Sequence, residues 1–447
     1  MTGFKELKGD RLTRRTFLKG VGVAGGLLAL AGPLSFRALG ATPPTIPVGS
    51  LLAFTGALAE MGPAMQKGGD LAAADINSAA QEVFGGPIIK LIQEDSGTAS
   101  SVAVDAARKL VSVNRVPAIV GALSSGVSIA VAESVTIPDE VLQVSPASTS
   151  PLISILPADK GHDFLFRTVA SDALQGVVAA QLAAGKIFND YKFKTASTIY
   201  VNNPYGQGLS NVFSRSFQLR GGIIEAQVPH PDTVQPTYTA ELALALANKP
   251  EVLLVVSYPG HAGIFLKESR DIFNYTSWQF TDGTKSLDLV KDLGAKALAG
   301  KYGTAPGADP NWPGFEKLVA EHQAKYGTKI TLPYVDTTYD AVAAVGLAIG
   351  KVIAGGITDP AKITGTVVRN ALRPVSDPPG TVVGVGAFKQ AFQLLKAGTD
   401  INYSGAAGSV DFDGNGDVIT PMGIWEYTAQ GTIKSVEIRT AKQIPQE

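Results

Sequence analysis

Short apolar runs alternate with stretches of helical period along most of this chain. Residues 46–54, 88–93, 118–120 and 141–144 are apolar enough to be buried strands. Between them, 62–79 places Met65, Leu71, Ala72 and Ile76 on one helical face, 99–113 repeats that period, and the small-residue segment 127–135 fits a third helix. An extended stretch at 164–169 leads into a second series. Helices are expected at 174–188, 206–220, 238–247 and 261–273, and strands at 196–201, 223–228, 252–256 and 278–281. Strands alternating with helices build parallel sheets, so two such series predict an α/β protein of two doubly wound lobes. Near 298–304 the chain leaves the second series. Helices follow at 313–326, 335–354 and 360–371, and the tail, 408–438, alternates as strands with polar turns. No solenoid repeat is present.

The loops after two of these strands carry the chemistry. Ser124-Ser125-Gly126 follows the run at 118–120, and a hydroxyl-rich stretch, Ser145 to Ser150, follows 141–144. Both belong at one edge of a parallel sheet, where open α/β sheets bind ligands. Hydroxyls and free amides beside a helix N-terminus suit a small anion such as a carboxylate. The body has no GxSxG elbow and no phosphate loop, and the serines have no base beside them. An enzyme on this fold would need an activated nucleophile, an acid–base pair or a cofactor loop. The pattern points to holding a molecule, with no enzyme activity and no cofactor.

Composition narrows the classes further. The chain of 447 residues has no cysteine, which excludes disulfides, thiol catalysis and thiolate metal sites. The four histidines are not at ligand spacing. Outside residues 1–41 there remain 31 basic and 37 acidic residues, a mildly acidic body with no reason to bind nucleic acid. The first 41 residues differ. Arg14-Arg15 lies in a Thr-Arg-Arg-Thr-Phe-Leu-Lys pattern, an apolar Gly/Ala-rich run follows, and Ala38 to Ala41 is rich in small residues. That order predicts a twin-arginine export signal and a periplasmic mature protein. The GxGxxG match at Gly20 to Gly25 falls within this signal, with no strand before it. After Ala41 no stretch is expected to span a membrane.

Several patches then resemble a known family, in order along nearly the whole body: LAFTGALAEMG from Leu52, the Asp75-Ile76-Asn77 helix end, Gly121 to Ser128, SPASTSP from Ser145, NPYGQG from Asn203, Thr281-Asp282-Gly283, TTYDA from Thr337 and VDFDGNGD from Val410. The chain resembles the periplasmic solute-binding proteins of the leucine/isoleucine/valine type that feed ABC importers. The resemblance implies two Rossmann-like lobes joined by three crossovers, near Thr168, Tyr302 and Ser409, which close on ligand like a hinged trap. One lobe would comprise 42–168 with 303–409 and the other 169–302 with 410–447. It implies a monomer that passes an amino acid to membrane permease and ATPase subunits.

An amino acid's carboxylate would take Ser125, the amides near Gly126, and Thr149. Its ammonium would, by resemblance, take the carbonyl of Ala147 and the carboxylate of Asp282, arriving from the opposite lobe. Tyr205 would stack across the cleft, with Tyr258 and Tyr339 at further matching positions. A structural use stays open for each: Ser124 or Ser125 as a helix cap, Thr149 and Asp282-Gly283 as turn chemistry, and the tyrosines as core. Met61 stands where the leucine-type member has an aromatic residue, and a disulfide common in the first lobe is absent. Both leave the ligand's side chain open, with amides, urea or aromatic acids as alternatives, as is a sensing role beside a receptor. Asp411 to Asp417 imitates the start of an EF-hand loop, but position twelve is Met422 rather than glutamate. A tight turn is expected there.

Overall fold

The computed structural model describes residues 42–445, so the expected export signal lies outside the described residues. In chain order the first half comprises β1 (Ile46–Leu52), α1 (Met61–Phe84), β2 (Ile89–Asp95), α2 (Ser100–Ser112), β3 (Ala118–Gly121), α3 (Ser125–Val131), β4 (Leu142–Ser145) and β5 (Leu165–Arg167). These five strands form one parallel sheet in the order β2-β1-β3-β4-β5. Every residue of β3 and β4 is buried, which is why they read as unbroken apolar runs. α3 is shorter than expected because a π-helical turn, Ala132–Thr136, completes it.

The chain then builds α4 (Asp172–Ala183), β6 (Thr195–Val201), α5 (Pro204–Leu219), β7 (Ile223–His230), α6 (Thr239–Ala245), β8 (Val252–Val256), α7 (Pro259–Asp271), β9 (Trp278–Phe280), α8 (Asp288–Leu293), α9 (Ala295–Leu298) and β10 (Tyr302–Pro306). The remainder supplies α10 (Pro313–Tyr326), α11 (Val335–Ala354), α12 (Gly365–Ser376), β11 (Thr381–Gly384), α13 (Phe388–Lys396), β12 (Ile401–Ser404), β13 (Met422–Tyr427) and β14 (Ile433–Arg439). The second sheet runs β14-β13-β10-β9-β8-β6-β7, with β13 antiparallel to both its neighbours. A small parallel pair, β11-β12, stands apart.

Two lobes result, each a sheet layered by helices. The core of the first gathers β1, β3 and β4 with α1, α11, α12 and α13. Gly68 permits a close approach of α1 to α11: a Cβ there would stand 2.2 Å from the carbonyl oxygen of Val335. That approach fixes the start of α11 and so the residue just before it, Tyr334. α11 is long and apolar enough to cross a membrane, with a mean hydropathy of 1.3, which corrects the expectation that no stretch after Ala41 is; its apolar window is 89% buried within the protein. It is a core helix.

Three sequence expectations shift. β10 stays in the second sheet to Pro306, beyond the expected crossover at Tyr302. Phe412 and Val418 pack in the first lobe's core, beyond the expected crossover at Ser409, and the chain rejoins the second sheet only at Met422. The helix expected at 360–371 begins at Gly365, because the Thr364 hydroxyl caps the Val367 amide there.

Candidate ligand-binding site

The loops at the carboxyl ends of both sheets meet between the lobes. Leu58, Met61, Leu123, Ser124, Ser125 and Ala147 line the pocket from one side, and Tyr205, Tyr258, Asp282 and Gly283 from the other, with Tyr334 alongside. Five of the seven expected site residues, Ser125, Ala147, Tyr205, Tyr258 and Asp282, are therefore brought together.

Each is placed by a local device. α5 starts with Pro204 after Asn203, whose side chain accepts the amides of Tyr205 and Gly206. This cap points Tyr205 into the cleft. Its ring stacks on Tyr258 at 5.6 Å with an interplanar angle of 11°. Tyr258 is itself the residue preceding α7, and its hydroxyl meets Ser124 Oγ at 3.0 Å across the cleft and accepts from Asn203 Nδ2 at 3.1 Å. Neither Ser124 nor Ser125 caps α3 through its side chain. The Ser125 hydroxyl accepts the Ser150 amide at 3.1 Å and so ties the two hydroxyl-rich loops together.

Asp282 is 2% exposed. Oδ1 accepts from Gln175 Nε2 at 2.6 Å and from the Tyr205 hydroxyl at 2.8 Å, and Oδ2 accepts from the Tyr334 hydroxyl. Among the described residues, no lysine or arginine lines the pocket. Burial raises the carboxyl's pKa, against the lowering effect of the three hydrogen bonds.

Two expected residues sit elsewhere. Thr149 is buried beside the pocket but is not part of its lining. Its carbonyl accepts the Asp172 amide at 2.8 Å. Its hydroxyl and both Asp172 carboxylate oxygens lack a well-aligned partner among the described residues. Tyr339 is in the first lobe's core, where its hydroxyl donates to Asp75 Oδ2 at 2.5 Å and its ring stacks on Phe388. The tyrosine that reaches the pocket from this region is Tyr334. Its φ of +72° is rare outside glycine, and its place after a proline and before a long apolar helix was the available signal. Sequence reasoning also missed Asp172 and Gln175. Burial and the neighbouring Asp282 charge push the Asp172 carboxyl well above the usual range.

The site is drawn shut. Ser150 Oγ donates to the Pro204 carbonyl at 2.8 Å, and the Glu60 carboxylate accepts the Leu287 amide at 2.8 Å and the Ser286 hydroxyl. The cavity that remains is about 10 Å3, on the scale of one water.

This arrangement, with no reactive pair and a buried acid facing hydroxyls across a hinge, can be set beside known proteins. The sequence profile of the periplasmic binding protein family matches residues 45–431. The chain belongs to this family. A chemotactic signal transduction substrate-binding protein, BasB of Halobacterium salinarum, is 27% identical over 76% of this chain and 76% of its own. Leu/Ile/Val-binding protein homolog 3 of Brucella melitensis is 24% identical over 80% of this chain and 90% of its own. Among solved structures, a leucine-binding protein from Thermotoga maritima has a TM-score of 0.70 at 21% identity, covering 89% of this chain and 99% of that one. An ABC transporter solute-binding protein from R. palustris, in complex with benzoate, has a TM-score of 0.65 at 18% identity, covering 88% and 96%. These likenesses establish the two-lobed periplasmic-binding fold. The relatives are solute-binding proteins, and this family member is a binding protein, not an enzyme.

Proposed function

We propose that this periplasmic binding protein captures an amino acid with an aliphatic side chain between its lobes and delivers it to the permease and ATPase subunits of an ABC importer. One observation carries the reading: Asp282 is a buried carboxylate in a pocket without a basic side chain. Such a group is costly unless paired. A ligand ammonium supplies the missing charge. The Ser125 hydroxyl with the α3 N-terminus would receive the carboxylate, Ala147 would lend its carbonyl, and Leu58, Met61 and Leu123 would wall the side chain. Met61, an unbranched thioether, adapts to more than one aliphatic shape. Thr149 and Asp172 form the layer behind.

Closure follows from the same contacts. Asp282 and Ser125 belong to opposite lobes, so a zwitterion satisfies both only when the lobes are together. Such a ligand holds the closed state by what it touches there. The cavity of about 10 Å3 does not admit an amino acid, so entry requires the lobes to part and the Tyr334 hydroxyl to leave Asp282. The working site is periplasmic in this reading, with export by the twin-arginine signal, and the protein acts as a monomer.

A sensing role is the second reading, favoured by the halobacterial relative's place in chemotactic signalling. Growth on the ligand with and without the gene separates the two. An aromatic acid or amide is the alternative ligand, and Asp282 argues against it. Calorimetric titration of Asp282→Ala tests the proposal. Affinity for the amino acid should fall at least tenfold, ~1.4 kcal/mol. An unchanged dissociation constant removes Asp282 from the site.

A further inference from the structure

A second cavity lies beside the interlobe pocket and is much roomier, at about 190 Å3. It opens where β10 runs out of the second sheet, between the segment preceding α11 and the β13–β14 pair. Phe315, Leu332, Ile424 and Trp425 give it apolar walls, and Lys285 and Asp336 give it charge. The two charges are not equivalent. Asp336 Oδ1 accepts the Thr337 amide at 3.0 Å, and the Ala308 amide also supports this carboxylate. Lys285 Nζ makes no hydrogen bond and no ion pair with any described residue. Burial lowers its pKa, against the raising effect of the Asp336 charge. The indole Nε1 of Trp425 is a buried donor without a partner among the described residues, whereas Lys285 is half-buried.

A cavity with apolar walls and a lysine that makes no hydrogen bond, lined also by a tryptophan whose indole N–H has no partner among the described residues, while its own carboxylate is occupied by backbone amides, suits an anion. Its walls favour one with an apolar body, and a carboxylate on an ammonium forms the stronger, charge-assisted kind of hydrogen bond. We propose that this cavity is a second ligand site, which takes a small carboxylate with an aliphatic or aromatic body, its carboxylate on Lys285 and its body against Trp425 and Phe315. Lys285 follows Asp282 by three residues, and Asp336 follows Tyr334 by two, so the segments that form the cavity also carry the Asp282–Tyr334 contact.

The probe is 4-bromobenzoate, an anion without an ammonium. Calorimetric titration compares the wild-type mature protein with Lys285→Met, which keeps the length of the side chain and removes its charge. The dissociation constant should rise at least tenfold in the variant. Because a variant that folds poorly would also bind poorly, a second measurement uses the wild-type protein alone. Crystals soaked in the same probe should show an anomalous bromine peak beside Trp425. The proposal is overturned by binding that Lys285→Met leaves unchanged, by a bromine peak confined to the interlobe pocket, or by no detectable binding to the wild-type protein.

Discussion

Asp282 takes one hydrogen bond each from Gln175, Tyr205 and Tyr334, all neutral donors, and in the proposed reading a ligand cation would complete its contacts. The donors are not equal. Tyr205 and Gln175 come from helices of the same lobe as Asp282, whereas Tyr334 precedes α11 of the other lobe. On the proposed function, Tyr334 is therefore the donor that an incoming ammonium would displace. Tyr334→Phe should destabilise the ligand-free protein by about 1–3 kcal/mol, since it leaves a buried carboxylate oxygen without its donor. It should not weaken amino-acid binding, because the ligand restores what was lost. Denaturation of the free protein alongside titration checks this, and weaker binding would show that Tyr334 holds the ligand itself.

Elsewhere in the second lobe, burial holds His230 down to about 4 and His261 down to about 3, from an ordinary 6.5. His230 Nε2 lies 2.8 Å from Ser257 Oγ, and His261 Nδ1 lies 2.7 Å from the Tyr238 hydroxyl. Both rings stay neutral in the fold while the unfolded chain takes up protons below 6.5. Their contribution is thus complete above pH 6.5 and is lost as pH falls toward 4. Midpoints measured from pH 7 to 4 should fall more steeply for the wild type than for a His230→Asn, His261→Asn double variant. Parallel profiles would contradict the assignment. At this scale Ser125 and Tyr205 were legible from the loops that follow their strands, whereas Ala147, Tyr258 and Asp282 were named by the family resemblance. Tyr339 was misplaced because tyrosines five positions apart in sequence, Tyr334 and Tyr339, face different surroundings once α11 begins between them.

Among the elements, β5 does more than close the first sheet. Its Arg167 is fully buried and bonds Asp417 through Nε and Nη2, both at 2.7 Å. Nη1 donates to the carbonyls of Ser148 and Ser150, and Nη2 also donates to Ser154 Oγ. One guanidinium thus fastens the hydroxyl-rich loop after β4 to the segment that resembles an EF-hand. That resemblance has a structural cause: Asp413 Oδ1 accepts the amides of Asn415 and Asp417 in a tight turn, and the turn presents Asp417 to Arg167. Removing one partner of a buried pair strands the other, so Arg167→Met should cost about 3–5 kcal/mol. It should also weaken ligand binding, by releasing the loop that carries Ala147 and Thr149. Chemical denaturation with calorimetry checks both, and a loss under 1 kcal/mol, roughly that of a surface pair, would contradict it. The long periodic helices α10 and α11 were legible to the residue. β11, α13 and β12 were not, because β11 is a short run of which only Val383 is buried, and nothing in its pattern shows that β12 lies beside it.

Over the whole molecule, the lobes meet through a mixed set of contacts: Tyr334 reaches Asp282, and Leu58, Met61 and Leu123 pack in one cluster with Tyr205 and Tyr258. Ser124 with Tyr258, Ser150 with Pro204 and Glu60 with Ser286 and Leu287 span the cleft. The polar contacts can be replaced by water when the lobes part, whereas the apolar ones favour the closed state. On the proposed function, a ligand that bridges Ser125 and Asp282 would decide which state prevails. The two alternating series gave away two doubly wound lobes in the sequence. Two of the three crossovers were expected too early, because β10 and the stretch around Val418 continue with no change of composition where the chain passes between lobes. The most direct test is the thermal midpoint of the mature protein with leucine, isoleucine or valine, for the wild type and for Asp282→Ala. A bound ligand at a hundred times its dissociation constant adds about 2.7 kcal/mol of stability. The account predicts a raised midpoint for the wild type with at least one aliphatic amino acid, and a shift that is lost or much reduced in Asp282→Ala. No shift with any amino acid, or a shift that survives the substitution intact, would contradict it.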